Sequence, residues 1–302
     1  MSYRVRHKTE YLYAEGVSIS HHEVHLYPRF VPYQTVRDKR LDVFPEPALR
    51  RDRIDWFGNP TTHLEIHGRH TRLAVTSSFV VDIAREPPPE DDGSWEAARD
   101  WVRAGEDAEA RAAVEMALPS PRIAPATDAR AFAEPSFTPG RPLAEVAREL
   151  MHRIHEEFAY DPAATDVATP VDEVLRGRRG VCQDFAHVQL ACLRAFGVAA
   201  RYVSGYLVTR PNAVAGGEDD LVGADASHAW VSVRLPGGGW LDLDPTNDVV
   251  PSDRHIVVAV GRDFGDVTPM RGVLLGGGRH ELIVGVDVTP VEGQSQSQSQ
   301  SG

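Results

Sequence analysis

The sequence predicts an α+β fold in which a helix carrying a cysteine packs on an antiparallel sheet, with a further antiparallel β domain ahead of it. Three observations lead there. Residues 1 to about 85 alternate apolar and polar positions with the period of strands, the middle of the chain carries Ala-, Leu- and Glu-bearing runs with helix caps, and strand texture returns after Gly197.

In the first region, Tyr3-Val5, Tyr11-Tyr13, Val17-Ile19 and Val24-Leu26 read as strand pieces, and Arg72 to Val81 as a long strand. Pro45-Glu46-Pro47 and Phe57-Gly58-Asn59-Pro60 supply turns between them. Pro87-Pro88-Pro89-Glu90-Asp91-Asp92-Gly93 is stiff, acidic and unable to fill a core, so it marks a boundary. Ser94 is placed to cap a helix from Trp95 to Met116, after which Pro119 to Pro142 is proline-dense connector. Helix resumes from Leu143 to about Phe158 and around Val171 to Leu175, and the run that begins near Cys182 ends at Gly197. Strands are expected at Ala200–Val208, His228–Leu235, Trp240–Asp244, Ile256–Val260 and Glu281–Val288, with a polar loop over Asn212–Asp225 edging a cleft. The domain reading is therefore 1–86 for the β domain, 87–142 for linker and connecting helix, and 143–272 for the core. Residues 273–293 hold a final strand packing on the first domain, and 294–302 form a low-complexity Gln-Ser tail expected to be disordered.

Composition limits the partners. With 302 residues and 42% hydrophobic content, a sizeable core is available. The 32 basic and 44 acidic residues leave a net charge of -12, which repels phosphate backbones and anionic lipid, so neither nucleic acid nor membrane is expected as a partner. The first residues lack the basic head and apolar core of a signal peptide, and no run of about 20 apolar residues occurs, which reads as a cytoplasmic chain. Cys182 and Cys192 on one helix lie about 15 Å apart along its axis, beyond disulfide reach, and two free thiols fit a reducing compartment.

The chemistry-bearing residues fall in three segments. Gly180-Val181-Cys182-Gln183-Asp184-Phe185 opens a helix, and a helix start beside Arg178 and Arg179 is where a nucleophilic cysteine gains most. Cys192 shares an apolar stripe with Phe185, Val188 and Phe196, so it reads as core. In the segment His228 to Leu235, Ala229, Val231, Val233 and Leu235 face the core, leaving His228, Trp230, Ser232 and Arg234 toward a cleft or solvent. A three-residue loop at 236–238 places Trp230 opposite Asp244 and His228 one diagonal step away. Asp242 shares that face, but Asp244, followed by Pro245 at the strand end, is better placed to hold an imidazole. His187 is the competing base, and about 140° around the helix from Cys182 it points away from the thiol. A cysteine, an imidazole and an orienting carboxylate are the parts of a nucleophilic acyl-transfer site. No metal or cofactor is expected: His21, His22 and His25 cluster around Glu23, but strand neighbours alternate in direction, so this stretch reads as a half-exposed β surface.

These motifs resemble the bacterial transglutaminase-like superfamily, in the branch with an N-terminal β region ahead of a papain-like core. Gly177 to His187 resembles its nucleophile motif, Ala226-Ser227-His228-Ala229-Trp230 its histidine motif, and Gly239 to Asn247 its aspartate motif. Arg201 to Tyr206 and the stretch from Tyr3 to Arg29 also fit. The resemblance implies Cys182 as nucleophile, His228 as base and Asp244 as orienter, a thioester intermediate, a protein or peptide substrate and no cofactor. Gln183, Tyr160 and Trp230 are candidates for oxyanion stabilisation or substrate positioning. Hydrolysis is the first expectation, with transfer to an amine and a catalytically inactive interaction module as the alternatives.

Overall fold

A computed structural model describes residues 1–89, 93–125, 127–208, 221 and 227–291. The N-terminal sheet is built on two long strands, β1 (Ser2–Val24) and β4 (Pro60–Ile83), paired antiparallel. β2 (Gln34–Phe44) and β3 (Leu49–Ile54) pair one after the other along the far edge of β4. The separate strand pieces expected from Tyr3 to Ile19 are thus one strand, interrupted only by breaks in register at Leu12/Val17 and Val17/Ile19. The second break changes which face each residue takes: Val5, His7, Thr9, Tyr13 and Val17 are buried before it, Ser20, His22 and Val24 after it. Tyr13, Val17, Leu41, Leu64, Ile66, Leu73 and Val75 form an apolar cluster drawn from this one sheet, which requires the sheet to curl.

Where one helix was expected from Trp95 to Met116 there are two, α1 (Trp95–Ala104) and α2 (Ala108–Ala117). Ser94 caps the first as anticipated, accepting from the Ala97 N–H, but Gly105 takes a left-handed φ of 57° that ends it, and Asp107 caps the second. The proline-dense connector also contains a helix, α3 (Thr127–Ala133). It packs on the core with α4 (Leu143–Glu157) and α5 (Val171–Gly177), between which runs a short exposed strand, β5 (Ala159–Tyr160). A short strand β6 (Arg179–Gly180) then leads into α6 (Cys182–Ala195). Every residue of α6 from Asp184 to Arg194 is buried, so it is a central helix rather than one with a single apolar stripe. Its buried Arg194 is satisfied by the carbonyls of Met116, Ala200 and Arg262.

Against α6 lies a four-stranded antiparallel sheet in the order β10-β7-β8-β9, formed by β7 (Ala200–Leu207), β8 (His228–Arg234), β9 (Trp240–Leu243) and β10 (His255–Gly261). Ala229, Val231, Val233, Leu241 and Leu243 join the core cluster with α6, as the alternation predicted. The opposite face differs from expectation. Val203, Trp230, Val257 and Val260 are covered by Val31, Tyr33 and Phe57 of the N-terminal module, so the face around Trp230 is closed, and only toward Arg234 and Trp240 does it border an open cavity. Two amide side chains fasten the modules together. Gln34 donates to the Val257 carbonyl and accepts its N–H, both at 2.9 Å, and Asn59 does the same with Val260 at 2.8 and 2.9 Å. Arg85 adds an ion pair of 2.8 Å to Asp242.

After a short helix, α7 (Phe264–Val267), the chain returns to the first sheet earlier than the boundary at 272 implied. β11 (Met270–Gly276), not anticipated, pairs with β1 from Val17 to Val24, and β12 (His280–Pro290) pairs with it from Tyr3 to Tyr13. The expected loop over 212–225, Leu221 apart, and the Gln-Ser tail lie outside the described residues.

Candidate active site

Cys182 is the first residue of α6, and the local sequence explains why the helix begins there. The Asp184 carboxylate folds back to accept the Val181 N–H at 2.8 Å and the Thr165 hydroxyl at 2.6 Å. That return requires glycine at 180, since a β-carbon there would stand 2.6 Å from an Asp184 oxygen. Burial raises the Asp184 pKa above the usual carboxylate range. The Asp184 N–H is taken by the Val181 carbonyl at 2.9 Å, whereas the N–H groups of Cys182 and Gln183 precede the helical ladder, so the helix end presents donors and a positive dipole at the thiol.

The β8–β9 hairpin has the expected register, with Val231 opposite Leu243 and Arg234 opposite Trp240. At its open end the His228 Nε2–H donates to Asp244 Oδ2 at 2.8 Å, and both side chains are fully buried. Nδ1 of His228 is left for the Cys182 side of the ring. Burial by itself would lower the His228 pKa, but the Asp244 charge and hydrogen bond, with a further contribution from Cys182, outweigh it and hold the imidazole well above its ordinary value.

Asp244 is held by more than the sequence suggested. Oδ1 accepts the N–H groups of Thr246 at 3.0 Å and Asn247 at 3.3 Å, while Oδ2 accepts the Asn247 side-chain amide at 2.8 Å. A second imidazole, His255 of β10, donates its Nε2–H to the same Oδ2 at 3.2 Å, and its Nδ1 accepts the Ser252 N–H at 3.4 Å. Burial pushes Asp244 up, yet the two histidines more than reverse this, and its pKa lies far below the carboxylate range. His228, Asp244 and His255 could in principle present three ligand atoms to a metal, but the two ring N–H groups are committed to the carboxylate.

The remaining candidates separate. Tyr160 is brought beside the nucleophile segment by parallel pairing of β5 with β6, opposite Gly180, and is partly exposed. Gln183 donates to the Val167 carbonyl at 3.3 Å, at the same rim. Trp230 is completely buried, stacked near His228 with ring centres 6.1 Å apart and edge-on to His255 at 5.4 Å. Its place is beneath the imidazoles and not at a substrate surface. His187 turns away from Cys182, its Nε2 accepting the Phe264 N–H at 3.2 Å, and burial pushes its pKa down to about 3. Sequence reasoning missed His255, for which the pairing of β10 with β7 is the only guide.

Comparison with known proteins agrees with this architecture. Residues 3–82 match the bacterial transglutaminase-like N-terminal region and residues 130–245 the transglutaminase-like superfamily. An uncharacterized protein of Mycobacterium tuberculosis is 43% identical over 304 residues, covering 97% of this chain and 94% of that one. Another, of Mycobacterium leprae, is 34% identical over 286 residues, covering 95% and 98%. A protein-glutamine gamma-glutamyltransferase of Pseudomonas aeruginosa is 39% identical over 113 residues, 37% of this chain and 17% of that protein. The fold is shared with a Cytophaga hutchinsonii structure provisionally assigned as a cysteine protease, at a TM-score of 0.74 and 20% identity, covering 98% of this chain and 92% of the other. From a helix-borne cysteine, an antiparallel sheet carrying histidine and aspartate, and an N-terminal β region matched in its own right, the chain belongs to the transglutaminase-like superfamily.

Proposed function

We propose that this chain cleaves amide bonds in proteins or peptides through a thioester on Cys182, with His228 as acid and base and Asp244 as the residue that positions it. The observation that supports this reading most is the connected series of Cys182 at a helix start, His228 beside it, and a buried carboxylate fixing the far nitrogen of that ring. With Nε2–H given to Asp244, Nδ1 is the nitrogen that takes the thiol proton, and the raised basicity of the ring favours that transfer. The sulfur then attacks the amide carbonyl. As the C–N bond breaks, the imidazolium returns its proton to the departing amine. Water attacks the thioester carbonyl as His228 takes one of its protons, and as the C–S bond breaks the imidazolium returns that proton to sulfur, releasing the carboxylic acid and the free thiol. The Cys182 N–H is one donor for the oxyanion; the Phe158 and Ala159 N–H groups are given to the Ile154 and Arg178 carbonyls, so the second is assigned to Tyr160 or Gln183.

Water is the default acceptor, because it is abundant and an amine competes only when held in attacking geometry. Transfer to an amine is the second reading, favoured by the 113-residue similarity to a protein-glutamine gamma-glutamyltransferase. The net charge of -12 argues against nucleic acid as a partner, and the two free cysteines favour a reducing, cytoplasmic location. Among the described residues no helix is long and apolar enough to cross a membrane.

The test is incubation with a glutamine-containing peptide mixture, with and without a primary amine, read by mass spectrometry. Wild-type protein should give cleavage or deamidation that Cys182→Ala and His228→Ala lack. Products formed equally by Cys182→Ala would overturn the mechanism, and amine adducts in place of hydrolysis would establish the second reading.

A further inference from the structure

On the outer face of the N-terminal sheet, away from the thiol, three histidines surround one carboxylate. Pairing of β1 with β4 puts His21 directly opposite Glu65, and alternation along β4 puts His63 and His67 on the same face. The intervening Leu64 and Ile66 are buried on the other face. The register break at Val17/Ile19 is what turns His21 outward and His22 inward. His25, which shares the sequence alternation with His21, is drawn off to the Thr268 carbonyl and to Asp55. The partners of His21 therefore come from β4 and not from its own strand.

The distances fit a common ligand. His63 Nε2 lies 3.3 Å and His21 Nδ1 3.8 Å from Glu65 Oε1, and His67 Nε2 lies 3.6 Å from Glu65 Oε2. The three ligand atoms of His21, His63 and Glu65 are all within 4.8 Å of one another. Ligands at the usual zinc bond lengths stand about 3.3 Å apart at the corners of a tetrahedron, so small side-chain rotations would bring these three onto one ion, with His67 at the rim beside the other carboxylate oxygen. The charges point the same way. Glu23, next along the face, is taken up by Arg53 and Arg271, whereas Glu65 has only histidines as ion-pair partners among the described residues. All four side chains are open enough to solvent for an ion to enter.

We propose that His21, His63 and Glu65 form a binding site for a zinc-class divalent cation that ties β1 to β4, with water completing its shell. Imidazole with a single carboxylate selects zinc and its neighbours nickel and copper over magnesium or calcium, which prefer all-oxygen sites. An ion bound only by the folded sheet raises its stability.

The experiment is calorimetric titration of the full chain, free of any polyhistidine tag and stripped with a chelator, using zinc chloride and then magnesium chloride. One zinc per chain, no uptake of magnesium, and a zinc-dependent rise in Tm are expected. Replacing a ligand costs no less than replacing a group behind one, so His63→Ala/Glu65→Gln should weaken zinc binding by at least about tenfold with unchanged circular dichroism. Should the double variant not fold, the exposed His21→Gln together with His63→Gln is measured in its place, with the same loss expected. Cys182→Ala should bind zinc as wild type does, which separates this site from the thiol. Absence of stoichiometric zinc uptake by the wild type would overturn the proposal. So would wild-type affinity in the sheet variants, or loss of the zinc in Cys182→Ala.

Discussion

His7 makes the protein sensitive to mild acid, and the size of the effect follows from its surroundings. It stands on β1 facing the four-stranded sheet, 1% exposed, with Nδ1 at 2.8 Å from the Tyr206 hydroxyl and Nε2 at 3.1 Å from the Thr9 hydroxyl. Burial pushes its pKa from 6.5 down to about 4. Between those limits the unfolded chain binds more protons than the folded one. Stability is therefore complete above about pH 6.5 and lost as the pH falls toward about 4. An ordinary imidazole goes from about a quarter to almost fully protonated between pH ~7 and pH ~5, while the folded one reaches only about a tenth, and the difference integrates to about 2 kcal/mol. His22, lowered to about 4, and His187, lowered to about 3, act in the same direction. The assay is urea unfolding at both pH values and fixed ionic strength for wild type and His7→Gln, whose amide keeps hydrogen-bonding capacity but cannot take up the proton. The wild type should lose about 2 kcal/mol more than the variant on acidification. Equal losses in the two proteins would refute the assignment of the acid sensitivity to this residue.

Further outcomes are expected elsewhere. Iodoacetamide near neutral pH should modify Cys182 at least about a hundredfold faster than Cys192, which is fully buried with its pKa pushed up to about 12; peptide mapping gives the ratio, and equal rates would reassign the reactive thiol. Gly205→Ala should destabilise by about 3 kcal/mol or more, because the added carbon would sit 2.0 Å from the Ile256 carbonyl oxygen and 2.5 Å from the Trp230 ring, and a melting curve like the wild type's would contradict the packing beneath His228. Deleting residues 281–302 strips β12 from β1 and should lower Tm, whereas deleting 294–302 should not; identical melting of both truncations would count against the pairing.

What could be read from sequence was local. The start of α6 is signalled by Gly180 and the polar first turn, and the His228–Asp244 contact by a three-residue loop that leaves one register for the hairpin. Features set by distant pairing were not legible. His255 reaches Asp244 only because β10 joins the far edge of β7, with His255 opposite Leu207. β11 is rich in glycine at its end and is a strand only because β1 leaves an edge free for it. The faces of His21 and His22 depend on the break beside Val17, which simple alternation along β1 does not reveal. Gly105 shows how one residue divides a helix that composition alone would run through to Met116.

The amide side chains of Gln34 and Asn59 also bear on how the chain can be divided. At Val257 and Val260 they reproduce what the backbone of a fifth strand would offer, a donor and an acceptor at each position, and the Arg29 N–H serves the Val258 carbonyl between them at 2.9 Å. The core sheet is closed by side chains borrowed from another module. Cut away from that module, β10 would expose a row of unanswered N–H and C=O groups, and the nearest match for them is the same edge on a second copy. Residues 143–272 made alone are for that reason set to assemble edge to edge before any question of catalysis arises.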